Sequence, residues 1–264
     1  MTTTAVAPTL RGGEWLLHAS DSAGVFTPEQ LSEEHRLIAQ TVADFVDNEV
    51  LPVLDRLEQK DWALARDLVQ RAGALGLLGV DAPEAYGGVQ LDKITSMVVS
   101  EGMARSASFG ATFGAQANLT VLPLVLFGSE AQKQKYLPRL LSGALVGAYC
   151  LSEPGSGSDA LGARTRATRQ PDGSFTLNGE KAWITNGGFA DVYIVFAKVD
   201  GEHFTAFIVE RAFAGVTSGK EEHKMGLHGS STTPVILQDA NVPDRKSTRL
   251  NSSHIQKSRM PSSA

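Results

Sequence analysis

The stretch Phe175-Thr176-Leu177-Asn178-Gly179-Glu180-Lys181-Ala182-Trp183-Ile184-Thr185 decides the fold class. Phe175 and Leu177 alternate with polar neighbours, Asn178-Gly179 has the composition of a type I′ turn, and Ala182–Thr185 resumes an extended run. This spacing predicts a β-hairpin turning at Asn178-Gly179. Downstream, Val192–Val199 and Phe204–Val209 flank Asp200-Gly201, which predicts a second hairpin, and Val235–Leu237 is a further strand candidate. Upstream, Val146–Leu151 is a short apolar run and Pro171-Asp172-Gly173 is a turn.

Before Val146 the periodicity is helical. Thr27, Pro28 and Gln30 make a helix-start signal, and Ile38, Val42, Phe45 and Val46 follow at helical spacing towards Pro52. A second helix is predicted over Ala63–Leu75, stopping at Gly76, and Asp92 is the cap of a third carrying Ile94, Met97 and Val98. Phe109–Phe127 is apolar on all sides and reads as a buried helix, after which Ser129 and Gln132 form another capping pair. Helices first and strands later define an α+β chain, not the alternation of a parallel α/β sheet.

A chain of 264 residues suits about two domains of roughly 100–200 residues each. Hydrophobic residues are 42% and charged residues 20%, the balance of a globular protein rather than a disordered one. No stretch approaches the roughly 18 uninterrupted apolar residues of a membrane span. The formal charge of −5 argues against nucleic acid as a partner. Cys150 is the single cysteine, so no internal disulfide forms, and its apolar neighbours make it a core thiol. Residues 1–25 lack the basic start and apolar run of a targeting signal and read as a disordered leader, which places the protein in the cytoplasm.

Two glycine motifs are set aside. Gly155-Ser156-Gly157-Ser158-Asp159-Ala160 fits the dinucleotide fingerprint, but Ala163–Thr168 is a poor helix to follow it. Gly215-Val216-Thr217-Ser218-Gly219-Lys220 is one residue short of a phosphate-binding loop and reads as a surface turn. The six histidines are scattered, with no metal-ligand spacing.

Two segments are not required by local structure: Ala148-Tyr149-Cys150-Leu151-Ser152-Glu153-Pro154-Gly155-Ser156-Gly157-Ser158-Asp159, and Asn178-Gly179-Glu180-Lys181-Ala182-Trp183-Ile184-Thr185-Asn186-Gly187-Gly188. Each places hydroxyls and a flat aromatic where a strand enters a glycine-rich turn. In this order and separation they resemble the two signatures of the acyl-CoA dehydrogenases. The resemblance covers roughly Phe26 to Pro243. It extends to Pro83-Glu84-Ala85-Tyr86-Gly87-Gly88, to Phe127-Gly128-Ser129-Glu130-Ala131-Gln132-Lys133, and to Lys224-Met225-Gly226-Leu227 with Ser230 and Thr232.

The resemblance implies an N-terminal helical domain over 26–145 and a middle, antiparallel β-barrel-like domain over 146–244, with the family's C-terminal four-helix domain missing. It implies FAD as cofactor, with Tyr149, Leu151 and Ser152 along the flavin ring, Gly157 and Ser158 touching flavin and substrate, Trp183 packed on the ring, and Ile184 and Thr185 near its N5. Ser158 is thus shared with the substrate. Ser230 and Thr232 would sit by the nucleotide, whereas His228 departs from the family's Arg or Lys. Gly110 and Gly114 match glycines that widen the acyl cavity in the very-long-chain type; the alternative reading is close helix packing, at a cost of about 1 kcal/mol each.

The implied reaction is α,β-dehydrogenation of a fatty acyl-CoA in β-oxidation. A glutamate removes the α-proton, the β-hydride passes to FAD, and an electron-transfer flavoprotein takes the electrons. The family's base glutamate lies in the C-terminal domain, so no carboxylate here is assigned to it, and the chain is expected to be an inactive fragment of a homodimer or homotetramer. An acyl-CoA oxidase and a non-catalytic acyl-CoA- or flavin-binding module are the alternatives. Residues 245–264 do not resemble the family. From Lys246 onwards this Ser-rich tail holds four basic residues (Lys246, Arg249, Lys257 and Arg259) and no acidic one, so that without Lys246–Ala264 the formal charge is −9; it reads as a disordered or artefactual appendage.

Overall fold

The computed structural model describes residues 26–242 except Glu202. The leader at 1–25 and the tail at 245–264 lie outside the described residues.

The Thr27 backbone N–H donates to Gln30 Oε1 at 2.9 Å, but this pair opens only a single 3₁₀ turn, Pro28–Gln30. Leu31 is extended, and the first long helix, α1 (Glu33–Phe45), starts afresh from Ser32, whose hydroxyl accepts the His35 N–H. The chain stays helical through a π turn at Val46–Val50 and past Pro52 into α2 (Leu54–Glu58). Helix α3 (Trp62–Ala74) is capped by Asp61, and α4 (Lys93–Met103) by Asp92, whose carboxylate accepts the Thr95 N–H. The apolar segment forms α5 (Ala107–Gln116), a π turn at Ala117–Val121 and α6 (Leu122–Phe127). By length and composition this 21-residue run could cross a membrane; here Phe109, Phe113, Val121 and Leu124 are buried in the protein core. The Ser129–Gln132 capping box starts α7 (Glu130–Leu141), which runs through Pro138.

Seven strands follow: β1 (Gly147–Cys150), β2 (Arg166–Arg169), β3 (Phe175–Thr185), β4 (Val192–Val199), β5 (His203–Glu210), β6 (Val216–Ser218) and β7 (Thr232–Val242). The sheet is mixed. The expected antiparallel pairings include β4–β5 across Asp200-Gly201, β3–β7 and β6–β7, whereas β1 and β2 both run parallel to β4. They lie end to end along one edge of β4, Cys150 beside Val195 and Arg166 beside Lys198. Residues 151–165 are therefore an excursion from that edge. Both faces of β4 are covered. Tyr193, Val195 and Ala197 join a core with α1, α3, α4 and α5, while Val192, Ile194 and Phe196 join a second core with α6 and α7. Covering on both sides explains why β4 is apolar almost throughout rather than alternating.

Asn178-Gly179 is not a hairpin turn. Residues 175–185 form one continuous strand, and the ladder to β7 slips at Leu177/Gly179 and again at Lys181/Ile184. The glycine serves a close approach: a Cβ at 179 would lie 2.5 Å from Thr165 Oγ1. The dinucleotide reading also falls away, because Gly155–Ala160 leads into the short turn Ala160–Gly162 and then β2, with no long helix.

The two helical glycines part company. A Cβ at Gly110 would lie 2.9 Å from the Met103 carbonyl oxygen, whereas one at Gly114 would meet nothing within 4 Å. Gly110 is thus explained by packing against the end of α4, and Gly114 is not. Gly110→Ala is expected to lower stability by about 1–3 kcal/mol through overpacking. Gly114→Ala should raise it by up to about 1 kcal/mol through helix propensity. Thermal melts of the two variants check this; equal and opposite shifts are not required, but a stabilising Gly110→Ala would contradict the packing assignment.

Candidate functional site

The two glycine-rich segments are brought together by a buried ion pair. Lys181, fully buried on β3, donates from Nζ to Glu153 Oε1 at 2.8 Å and to the Leu151 carbonyl at 3.1 Å. Glu153 also accepts the Arg164 N–H at 2.6 Å, the Thr165 N–H at 3.0 Å and the Thr165 hydroxyl at 2.5 Å. One carboxylate therefore closes the base of the 151–165 excursion and ties it to β3. The Ala182 N–H donates to the Ser152 carbonyl at 2.9 Å, a second tie between the segments. Burial pushes the Glu153 carboxyl up, but Lys181, Thr165 and the two backbone N–H groups outweigh it and hold the group down at about 2, from an ordinary 4.5. Burial lowers Lys181, and Glu153 opposes that shift.

Next to this pair the β3 strand bulges. Trp183 has a positive φ of 57° and is 59% exposed, although its neighbours Ala182 and Ile184 are buried. A left-handed tryptophan in a strand is strained, and such strain concentrates at functional sites. The bulge sets Trp183, Ile184 and Thr185 on one side of a cleft of about 190 Å³ whose other walls are Tyr149, Leu151, Ser152, Ala115 and Leu119. Burial raises the Tyr149 phenol, and its ring meets Phe196 edge-on at 5.0 Å.

Six of the predicted cofactor residues thus line one cleft: Tyr149, Leu151, Ser152, Trp183, Ile184 and Thr185. Gly157 and Ser158 do not line it; they lie exposed on the excursion. Gly110 and Gly114 are on α5, whose Ala115 reaches the cleft. Ala115 and Leu119 were missed by sequence reasoning, since nothing in an apolar helix says which turn will face a sheet. Thr232 pairs with Thr185, and its hydroxyl lies 2.9 Å from Lys224 Nζ. Ser230 is buried, with its carbonyl also accepting from Lys224. His228 is held to the helical half: its N–H donates to Glu58 Oε2 at 3.0 Å, and its Nε2 lies 2.8 Å from the Lys224 carbonyl. Cys150 is fully buried and its thiol is pushed up by burial, so it remains a core residue. Glu101 has no place in the cleft, and Glu153 is occupied by the contacts above.

An apolar slot with two aromatic edges, two hydroxyls and backbone groups matches what a flat heteroaromatic ring requires. The acyl-CoA dehydrogenase N-terminal domain family matches residues 32–144, and the acyl-CoA dehydrogenase middle domain family matches residues 148–240. The chain therefore belongs to the acyl-CoA dehydrogenase family. A probable acyl-CoA dehydrogenase of Bacillus subtilis is 50% identical over 234 residues, 88% of this chain and 39% of that protein. The acyl-CoA dehydrogenase of Bacillus anthracis, crystallised with FAD, superposes with a TM-score of 0.89 at 51% identity, covering 94% of this chain and 43% of that one. A chain in the electron transferring flavoprotein structure from Acidaminococcus fermentans superposes with a TM-score of 0.77 at 36% identity, over 85% of this chain and 60% of that one. The chain thus spans about two-fifths to three-fifths of the length of these relatives.

Removing one partner of the buried pair, as in Lys181→Met, is expected to cost about 3–5 kcal/mol by leaving a buried charge unpaired. The lowered Glu153 pKa stabilises the fold above its unfolded value of 4.5, and that contribution is lost as pH falls towards about 2. Urea midpoints measured across this window should fall with acidification in the unmodified chain and less steeply in Lys181→Met.

Proposed function

We propose that this chain supplies the flavin-facing wall of an enzyme that dehydrogenates a fatty acyl-CoA at its α and β carbons, with FAD as cofactor and an electron-transfer flavoprotein as electron acceptor. The observation that carries this reading is the convergence of both family segments on one cleft through the Glu153–Lys181 pair. The residues fit the group. Tyr149 and Trp183 offer aromatic surface to a ring, Leu151, Ile184, Ala115 and Leu119 keep water away, and Ser152 and Thr185 offer hydroxyls to its polar edge. When bound, FAD supplies the hydride acceptor of the reaction.

The cleft volume, about 190 Å³, is below the roughly 300 Å³ at which ligand pockets begin, and the plate of Trp183 is more than half exposed. The slot is a wall rather than an enclosure, to be completed by further protein such as another subunit of a homo-oligomer. No carboxylate is among the residues lining it. We therefore propose that the 264-residue chain by itself holds FAD weakly and does not turn over acyl-CoA. Flavin fluorescence titration and dye reduction with octanoyl-CoA or palmitoyl-CoA test both statements. Stoichiometric, tightly held FAD or robust turnover would refute them. Trp183→Ala should weaken whatever flavin binding is measured by about tenfold, the order expected for loss of a stacked aromatic contact.

We further propose a preference for long acyl chains, supported by Gly114, which has open space where a side chain would go. Gly114→Leu in a full-length enzyme carrying this segment should shift the preferred chain length downwards. An unchanged profile with acyl-CoAs of increasing length would sink this preference.

A further inference from the structure

Two walls of the flavin cleft are held from outside it by one carboxylate. Glu58 is the last residue of α2. The Ser108 hydroxyl near the start of α5 donates to Glu58 Oε1, and the His228 N–H donates to Glu58 Oε2 at 3.0 Å. Helix α5 carries Ala115 into the cleft, and the π turn that follows it carries Leu119. His228 belongs to residues 219–231, a strap between β6 and β7. The end of the strap is bonded to the β3 wall: the Asn186 N–H donates to the Ser231 carbonyl, and Thr232 pairs with Thr185. Glu58 therefore joins the element that brings Ala115 to the element that abuts Thr185.

The strap is seated closely on α2. A Cβ at Gly229 would lie 2.9 Å from the Leu57 carbonyl carbon, and Leu227, just before His228, has a positive φ of 57°. A left-handed leucine persists only where its surroundings fix it. The other charged groups of the strap are engaged on its own end. Lys224 donates to the Ser230 carbonyl and the Thr232 hydroxyl, and Glu221 accepts the Ser231 hydroxyl and the Thr232 N–H.

The chemistry of the His228 ring is set by its two neighbours. Nε2 lies 2.8 Å from the Lys224 carbonyl oxygen, which can only accept, so Nε2 carries a proton. Nδ1 lies 3.5 Å from Glu58 Oε2. A neutral ring therefore turns a lone pair towards a carboxylate, whereas an imidazolium turns an N–H towards it and makes an ion pair. The remaining charges nearby are Lys60 beyond α2, and Lys224 and Glu221 on the strap; α5 contributes the neutral Ser108. Burial lowers the Lys224 ammonium, and Glu221, Lys60 and Glu58 also act on it, which places these groups in one cluster. Within it Glu58 makes the direct contact with the ring. We propose that Glu58 and His228 are positioning residues of the flavin cleft, forming a clasp that is completed by protonation of the imidazole and that sets α5 and the strap at their separation. The clasp is complete at low pH and loosens as pH rises through about 5–8, the range in which a histidine changes charge. Its role in flavin binding rests on the reading above.

Hydrogen exchange of the full chain, expressed as protection factors, reads the clasp without any flavin. Peptides covering the strap end at 228–232, the β3 wall at 185–187 and the helical wall at 108–119 are followed from about pH 5.5 to about pH 8.5. Protection in all three should fall about two- to fivefold with rising pH, the size set by a partly exposed ion pair. His228→Arg, charged throughout, should keep the low-pH protection at every pH. His228→Gln, which retains an N–H for the Lys224 carbonyl but carries no charge, should show the high-pH protection at every pH. Riboflavin affinity, measured by fluorescence over the same range, should weaken by a similar factor in the unmodified chain and stay flat in both variants. Protection at the strap that does not change with pH, or that changes equally in His228→Gln, would overturn the clasp. A strap that responds while 108–119 and 185–187 do not would overturn the positioning role, as would riboflavin bound with the same affinity at every pH. If no form of the chain binds riboflavin while protection responds as expected, the clasp stands and the flavin reading fails.

Discussion

The Glu153–Lys181 pair is the constraint on which the candidate site depends. Without it the 151–165 excursion would lose the carboxylate that closes its base, leaving the Ala182 N–H bond to the Ser152 carbonyl to tie that segment to β3. Desolvating a carboxylate and an ammonium is expensive, and the cost is offset only when nearly every lone pair and proton is used. That condition is met here: Glu153 accepts four hydrogen bonds, and Lys181 donates to a carboxylate and a carbonyl. Such a pair specifies one arrangement more than it adds stability, because any displacement leaves a buried charge exposed to nothing.

The helical half is held to the sheet by polar staples of the same kind. Gln116, fully buried at the end of α5, donates to the Leu140 and Leu145 carbonyls and accepts the Gly147 N–H at the start of β1. Asn186, also fully buried, donates to the Thr112 and Gly147 carbonyls and so joins α5, β1 and the end of β3. On the far side Arg66 bonds the Phe189 carbonyl and Asp191, with Trp62 stacked on Phe189. These contacts fix α5 against the strands, and they place Ala115 and Leu119 in a cleft otherwise built from β residues.

The residues that positive φ marks out show where local rules gave way. Asp200-Gly201 is a hairpin turn as its composition suggests, because two strands of matched length leave it. Asn178-Gly179 is also a turn-forming dipeptide yet sits inside a strand, because β7 offers an eleven-residue partner and Thr165 leaves no room for a Cβ. Trp183 is the opposite case: no turn residue is present, yet the backbone turns left-handed where the ladder slips. Thr27 and Gln30 likewise made a sound cap for a helix that ended after one turn.

What the sequence determined by itself was the order of helices and strands, the caps at Asp92 and Ser129, the hairpin at Asp200-Gly201 and the membership of six cleft residues in two recognisable segments. These are local or motif-borne, carried by hydrogen-bonding types and periodicity over a few residues. The parallel placement of β1 and β2 on β4, the single long β3, the burial of Lys181 against Glu153 and the contribution of Ala115 and Leu119 were decided only by the tertiary structure. Each depends on which distant segment supplies the partner, and pairing energy between residues far apart in the chain leaves no periodic trace in either of them.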